Sequence, residues 1–185
     1  IASMQATTIA LSDVLILQPE VFGDTRGSFV ERWNAKTFER TTGLDVNFVQ
    51  DNRSRSEKGV LRGLHYQLRQ PQGKLVWVEA GKVLDVIVDL RRSSDTFGRH
   101  ASIELTGEDH KQLWIPPGFA HGFVVLSEVA DFFYKTTDYY APNDEHCIRW
   151  DDTDLKIDWQ LGAIQPQLSQ KDRTGTSFRE AETYS

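Results

Sequence analysis

Two of the five histidines sit where a side chain could move a proton. His65 lies in Arg62-Gly63-Leu64-His65-Tyr66-Gln67, and His121 lies in Pro116-Pro117-Gly118-Phe119-Ala120-His121-Gly122-Phe123, just after a rigid turn that delivers a strand. Imidazole has the side-chain pKa closest to neutrality, about 6.5, so a positioned histidine can take a proton and hand it on. Strand alternation puts Gly63, His65 and Gln67 on one face and Leu64 and Tyr66 on the other. His100 beside Arg99, and His110 between Asp109 and Lys111, read as solvated loop residues. Elsewhere, Lys74 follows Gly73, alternation sets Tyr134 on the face opposite Phe133, and Asp172 lies beside Lys171 in a polar segment. Taken singly, these three read as a turn lysine, a core aromatic and a tail carboxylate, and a lone strand histidine reads as a hydrogen-bonded structural residue.

The elements that must position them read as strands. Ala101–Thr106 alternates apolar and polar residues without a break, the period of a half-buried strand. Val14–Leu17, Ser28–Trp33, Phe48–Ser54, Leu75–Glu79, Val83–Asp89, Gln112–Ile115, Phe123–Leu126 and Asp131–Tyr139 are short and rich in β-branched or aromatic residues. Turn residues separate them at Gly23-Asp24, Glu57-Lys58-Gly59, Gly73, Gly81, Gly107 and Pro116-Pro117-Gly118. One helix is predicted over Asn34–Thr42, with Asn34 as N-cap, Phe38 inward and Gly43 as the stop; a second short helix is expected near Asp152–Leu155. Neither can cover a sheet, so an antiparallel all-β architecture remains.

The 185 residues suit one domain, without repeats or linkers. Met4 is the only methionine, so Ile1-Ala2-Ser3 reads as a cloning remnant, leaving residues 4–185 as the expected domain. The single cysteine, Cys147, excludes a disulfide-stapled scaffold and a Cys-rich zinc module, and suits a reducing, cytoplasmic setting. A net charge of −6 argues against a nucleic-acid footprint, and the absence of long apolar runs argues against a membrane partner. Small anionic substrates held by a few Arg and Lys residues stay open.

The spacing of Pro116, Gly118 and His121 resembles the second motif of the cupins, small β-barrels of jelly-roll type. Metal-binding cupins begin their first motif His-x-His; here the segment is His65-Tyr66-Gln67, and an amide oxygen is a poor substitute for imidazole, so no catalytic metal and no cofactor are expected. Further segments sharpen the resemblance: Val21–Glu31, Gln50–Ser54, Val60–Gln67, Gly73–Val76, Pro116–Phe123, Tyr134–Tyr140 and Ser169–Asp172. In order and spacing they resemble the dTDP-4-dehydrorhamnose 3,5-epimerase family over almost the whole chain.

That resemblance implies an all-β jelly-roll (cupin) barrel with a few short peripheral helices. It implies an isomerase that inverts C3 and C5 of dTDP-4-dehydro-6-deoxy-D-glucose, giving dTDP-4-dehydro-L-rhamnose. It also implies a homodimer with exchanged N-terminal strands, the partner supplying some site residues. Both inverted carbons adjoin the C4 ketone, so the chemistry needs a base on one face, a stabiliser at the C4 oxygen and an acid on the other face. By resemblance His65 is the base, Asp172 orients it, Tyr134 is the acid, and Lys74 serves the C4 oxygen with His121 binding the sugar or sharing that task. Arg26 and Arg62 correspond to positions near the diphosphate, with Lys171 adding charge; Phe29, Glu31, Gln50, Asn52 and Glu145 correspond to residues around thymidine and sugar, and Tyr140 suits stacking on thymine. Alternation turns Arg53 away from Gln50 and Asn52, so it is left out. Three rivals remain: a mono-epimerase or ketoisomerase on a related dTDP-4-keto-6-deoxy sugar, a metal-dependent cupin oxygenase disfavoured by Gln67, and a non-catalytic nucleotide-sugar-binding cupin, which should lack base or acid.

Overall fold

The computed structural model describes residues 2–185. Among these, the strands are β1 (Met4–Thr8), β2 (Leu15–Pro19), β3 (Val21–Asp24), β4 (Gly27–Val30), β5 (Gln50–Glu57), β6 (Leu61–Gln67), β7 (Lys74–Ala80), β8 (Lys82–Asp89), β9 (His100–Thr106), β10 (Gln112–Ile115), β11 (Phe119–Val125), β12 (Val129–Thr136) and β13 (Glu145–Cys147). Two short helices, α1 (Ala35–Thr42) and α2 (Gln170–Arg173), lie at the periphery. A six-stranded sheet, β1-β2-β10-β7-β12-β5, faces a five-stranded sheet, β13-β6-β11-β8-β9, and β3-β4 form a separate hairpin. This is the jelly-roll barrel expected.

Alternation builds three apolar layers. On β7, Val76 and Val78 point between the sheets while Leu75 and Trp77 point outward; on β12, Ala130 and Phe132 point in and Phe133 out. The inner layer joins Val83, Ile87, Phe119, Phe123 and Val125 of the opposite sheet. Burying each such side chain stabilises the fold by about 1.5–3 kcal/mol. Outside the six-stranded sheet, Phe38 of α1 packs edge-on against Trp114 and beside Trp33 and Phe48. The helix forms as its ends predict: Asn34 Oδ1 accepts from the Thr37 N–H at 3.2 Å, and Gly43 closes it at φ 73°. The C-terminal segment covers the outer face of the five-stranded sheet with Leu155, Trp159, Phe178 and Tyr184.

Several details depart from the sequence reading. The helix expected at Asp152–Leu155 is a turn, because Asp152 Oδ1 accepts the N–H groups of Asp154 and Leu155 and Oδ2 accepts that of Phe178. Those bonds offer the backbone an alternative to a helical ladder. A short helix appears instead at α2, capped by Ser169 Oγ. Ser28–Trp33 is strand only as far as Val30, and its partner β3 carries no buried residue, so neither strand has the apolar face that marks a core element. The chain reverses over Asp24–Gly27 rather than at Gly23-Asp24. Of the three N-terminal residues set aside, Ile1 lies outside the described residues, and Ser3 is tied to Glu20, whose N–H donates to the Ser3 carbonyl at 2.9 Å. No helix among the described residues is long and apolar enough to cross a membrane.

Candidate active site

A polar cavity of about 310 Å³ opens between the two sheets beside this apolar core. β6 and β11 bring Arg62, His65 and His121 to one wall, while β5, β7 and β12 bring Gln50, Asn52, Ser54, Lys74 and Tyr134 to the other. Phe123 and Phe132 form its apolar floor, and Gln72, Tyr140 and Glu145 complete the lining.

Strict alternation counted back from His65 would turn Arg62 outward, away from the cavity. The ladder slips between the His121–His65 and Phe123–Arg62 pairs, so that three steps on β6 match two on β11. This bulge brings Arg62 round to the side of His65. Gly63 makes it possible: its φ is 106°, and a Cβ there would lie 2.6 Å from the His121 carbonyl oxygen.

The two histidines each hold a carboxylate. His65 Nε2 lies 2.5 Å from Asp172 Oδ1, leaving Nδ1 on the side of the cavity, 3.8 Å from Glu145 Oε1. Burial pushes the Asp172 carboxyl up, but its bond to His65 and the imidazole charge outweigh this and hold it below the usual range. An ionised Asp172 fixes the Nε2–H tautomer, so Nδ1 carries the free lone pair. His121 Nε2 pairs with Asp85 Oδ2 at 2.7 Å, and its ring stacks on Phe132. Burial raises the Asp85 pKa despite His121, and among the described residues Oδ1 has no hydrogen-bond partner.

Across the cavity, Lys74 Nζ stands 5.7 Å from the Tyr134 ring centroid. Loss of hydration brings the Lys74 pKa down to about 8, although Glu145 and Asp85 oppose the shift. Burial, then the Glu145 charge, raises the Tyr134 pKa and keeps the phenol protonated. At the mouth, Glu145 Oε2 accepts from the Tyr140 hydroxyl at 2.7 Å and from Lys171 Nζ at 2.8 Å. Burial raises the Glu145 carboxyl, but these bonds and His65 outweigh it and keep the group ionised. The Tyr140 N–H donates to Gln50 Oε1, and Gln50 Nε2 donates to Asn52 Oδ1, so the rim residues brace one another.

His65, Lys74, Tyr134, Gln50, Asn52, Arg62, His121, Tyr140 and Glu145 therefore share one cavity, with Asp172 behind His65 and Lys171 on the rim. Arg26, Phe29 and Glu31 do not reach it. Arg26 and Phe29 lie on the β3-β4 hairpin, where among the described residues Arg26 pairs only with Asp24, and Glu31 follows that hairpin. Arg53 faces outward onto Asp131, as alternation predicts. Asp85, Ser54 and Phe132 were missed by sequence reasoning. Asp85 had a signal: a carboxylate inside the apolar run Val83–Val88 must find a partner or remain neutral.

The residues do not fit a cupin metal centre. The Gln67 amide nitrogen donates to the carbonyls of Gln70 and Tyr139, and its oxygen accepts from the Ala141 N–H. Both amide atoms are thus committed to the loop that carries Tyr140, and neither is free to ligate an ion beside His65.

A family model described as dTDP-4-dehydrorhamnose 3,5-epimerase matches residues 8–180. A dTDP-4-dehydrorhamnose 3,5-epimerase from Pseudomonas aeruginosa is 57% identical over 181 residues, 98% of this chain and 99% of the relative. The crystal structure of a 3,5-epimerase from Legionella pneumophila in complex with dTDP-4-keto-L-rhamnose superposes with a TM-score of 0.93 at 51% identity, covering 97% of this chain and 95% of that one. A 3′-monoepimerase from Streptomyces bikiniensis in complex with dTDP-quinovose gives 0.86 at 30% identity, with coverages of 91% and 85%. On sequence and fold together, the chain belongs to the dTDP-4-dehydrorhamnose 3,5-epimerase family.

Proposed function

We propose that the protein inverts C3 and C5 of dTDP-4-dehydro-6-deoxy-D-glucose to give dTDP-4-dehydro-L-rhamnose. One observation carries the reading: His65 and Tyr134 project into the same cavity from opposing sheets, so a sugar ring between them meets a base on one face and an acid on the other. His65 Nδ1 takes the proton beside the C4 ketone, and the electron pair moves onto the C4 oxygen. The Lys74 ammonium stabilises that charge by donating a hydrogen bond inside a cavity where water screens it poorly. The Tyr134 phenol then delivers a proton to carbon from the far side, and the centre is inverted. His121, held by Asp85, binds the sugar beside Lys74, while Arg62 and Lys171 supply positive charge for the diphosphate. The greater identity to the Legionella 3,5-epimerase than to the monoepimerase favours inversion at both carbons.

The test is NMR of the reaction in D2O. Deuterium at both C3 and C5 with formation of the L-rhamno product supports the double epimerase. Label and inversion at one carbon point to a mono-epimerase, and no label at either rejects the enzyme reading.

Lys74 makes the rate pH-dependent. Its ammonium form is present below about 8 and lost above, so kcat/KM falls as pH rises through that value. In Lys74→Arg the fall moves upward, since a guanidinium stays protonated. A wild-type profile flat through and well above this range removes Lys74 from the role.

The hairpin suits a partner. Phe22 and Phe29 are 44% and 67% exposed, and a second copy of the chain would cover them. In a homodimer with exchanged N-terminal strands, Arg26, Phe29 and Glu31 would enter the neighbouring cavity and complete the diphosphate and base contacts. Arg26→Ala is then expected to raise KM about tenfold or more, the worth of a charge-assisted hydrogen bond, with little change in kcat. An unchanged KM, or a monomer in sedimentation, contradicts the exchange. The reading takes residues 4–185 as one cupin domain, and its nucleotide-sugar substrate and unpaired cysteine suit the cytoplasm.

A further inference from the structure

We propose that Cys147, together with the rear of the His65–Asp172 pair, forms an inhibitory site for a thiophilic divalent cation of the zinc type. β13 runs beside β6 with Cys147 directly opposite His65. Cys147 Sγ lies 3.7 Å from Asp172 Oδ1, whose other neighbour is His65 Nε2, and the three donor atoms all lie within 4.8 Å of one another. Tetrahedral zinc, with bonds of about 2.0–2.3 Å, sets its ligands roughly 3.3–3.8 Å apart. The sulfur–oxygen separation already suits it, and the nitrogen–oxygen contact need only open by about 1 Å. A thiolate and a carboxylate cancel the two charges of the ion, and the set combines the sulfur, nitrogen and oxygen donors that zinc takes. Burial and the neighbouring Asp172 push the Cys147 thiol up to about 12, so it stays protonated until a cation displaces the proton.

The proton balance explains the inhibition. Metal bonds form to Nε2, Oδ1 and Sγ; the thiol proton goes to solvent, and the proton that Nε2 donated to Asp172 moves to Nδ1. Nδ1 then has no lone pair with which to accept a proton from carbon. The ion sits behind the imidazole, so the cavity remains open: kcat falls and KM stays near its original value. This kinetic consequence rests on the epimerase reading, whereas binding does not.

Because Cys147 is the only cysteine, one thiol reports the site. Wild-type protein titrated with Co²⁺ as probe is expected to show sulfur-to-cobalt charge-transfer absorption, and Zn²⁺ to slow iodoacetamide alkylation about tenfold or more, an occupancy effect. Zn²⁺ should lower kcat by a similar factor, reversibly with EDTA, and Cys147→Ala should need about tenfold more Zn²⁺ or beyond. No charge-transfer band, or a thiol that Zn²⁺ leaves unprotected, overturns the site, and both readings use wild-type protein even if the variant fails to fold. Equal Zn²⁺ sensitivity of wild type and variant, or a rise in KM alone, overturns the inhibitory role. If the protein leaves the sugar nucleotide unchanged, the function fails while absorption and alkylation still decide the site.

Discussion

His65→Ala is expected to lower kcat by about 10³-fold, the usual worth of a positioned general base, and to abolish deuterium incorporation at both C3 and C5. Exchange is the more telling readout, because it reports C–H cleavage even when no product accumulates. The barrel should survive: the His65 side chain hydrogen-bonds to Asp172, lies 3.8 Å from Glu145, and sits at the edge of the cavity rather than in the apolar layers. The truncation does strip buried Asp172 of that partner, at a cost of about 1–3 kcal/mol. His65→Asn retains a donor for Asp172 and so separates this loss from the loss of the base. Both variants should melt cooperatively and both should show the same large fall in kcat. Wild-type exchange in either one would remove His65 from the chemistry.

Tyr134→Phe should separate the two half-reactions. With the base intact and the acid gone, the carbanion can be reprotonated only from the face that lost its proton. Deuterium should therefore enter the starting sugar with retained configuration while inversion slows about 10²–10³-fold. KM should change little, because the ring that packs near Phe132 and Lys74 is preserved. Inversion at the wild-type rate would exclude the phenol as acid; loss of exchange as well as inversion would place it in deprotonation instead. The raised Tyr134 pKa makes this role independent of pH near neutrality, so any fall in rate through about 8 belongs to Lys74.

Substrate acidity explains why both predictions are large. A proton next to a ketone is removed at a useful rate only if the oxygen charge is stabilised as it forms, and fixed donors in a screened cavity provide that without reorganising. Lys74 and the His121–Asp85 pair stand on opposing sheets, so the barrel holds them apart before substrate arrives. Gln67 shows the same economy: at the position where metal cupins keep a ligand, its amide anchors the loop of Tyr140.

Much of this was legible in the residues alone, wherever the cause is local. Asn34 and Gly43 cap their helix through bonds within a few residues, and apolar alternation marks strands because each must bury one face. The same alternation correctly set Tyr134 opposite Phe133 and Arg53 away from Gln50 and Asn52. The order of His65, Lys74, Tyr134 and Asp172 carried the resemblance to a family whose chemistry is proton transfer beside a carbonyl, whereas each residue alone carried no such signal. What only the tertiary structure decided depends on contacts between distant segments: Asp172 meets His65 across 107 residues, and Asp85 meets His121 across 36. The bulge that turns Arg62 inward belongs to a ladder register shared by β6 and β11, and β3-β4 carries no fully buried residue, so burial did not set that hairpin's limits or its turn. Local preferences select the elements; the pairing of remote strands, which no single segment encodes, determines which side chains meet.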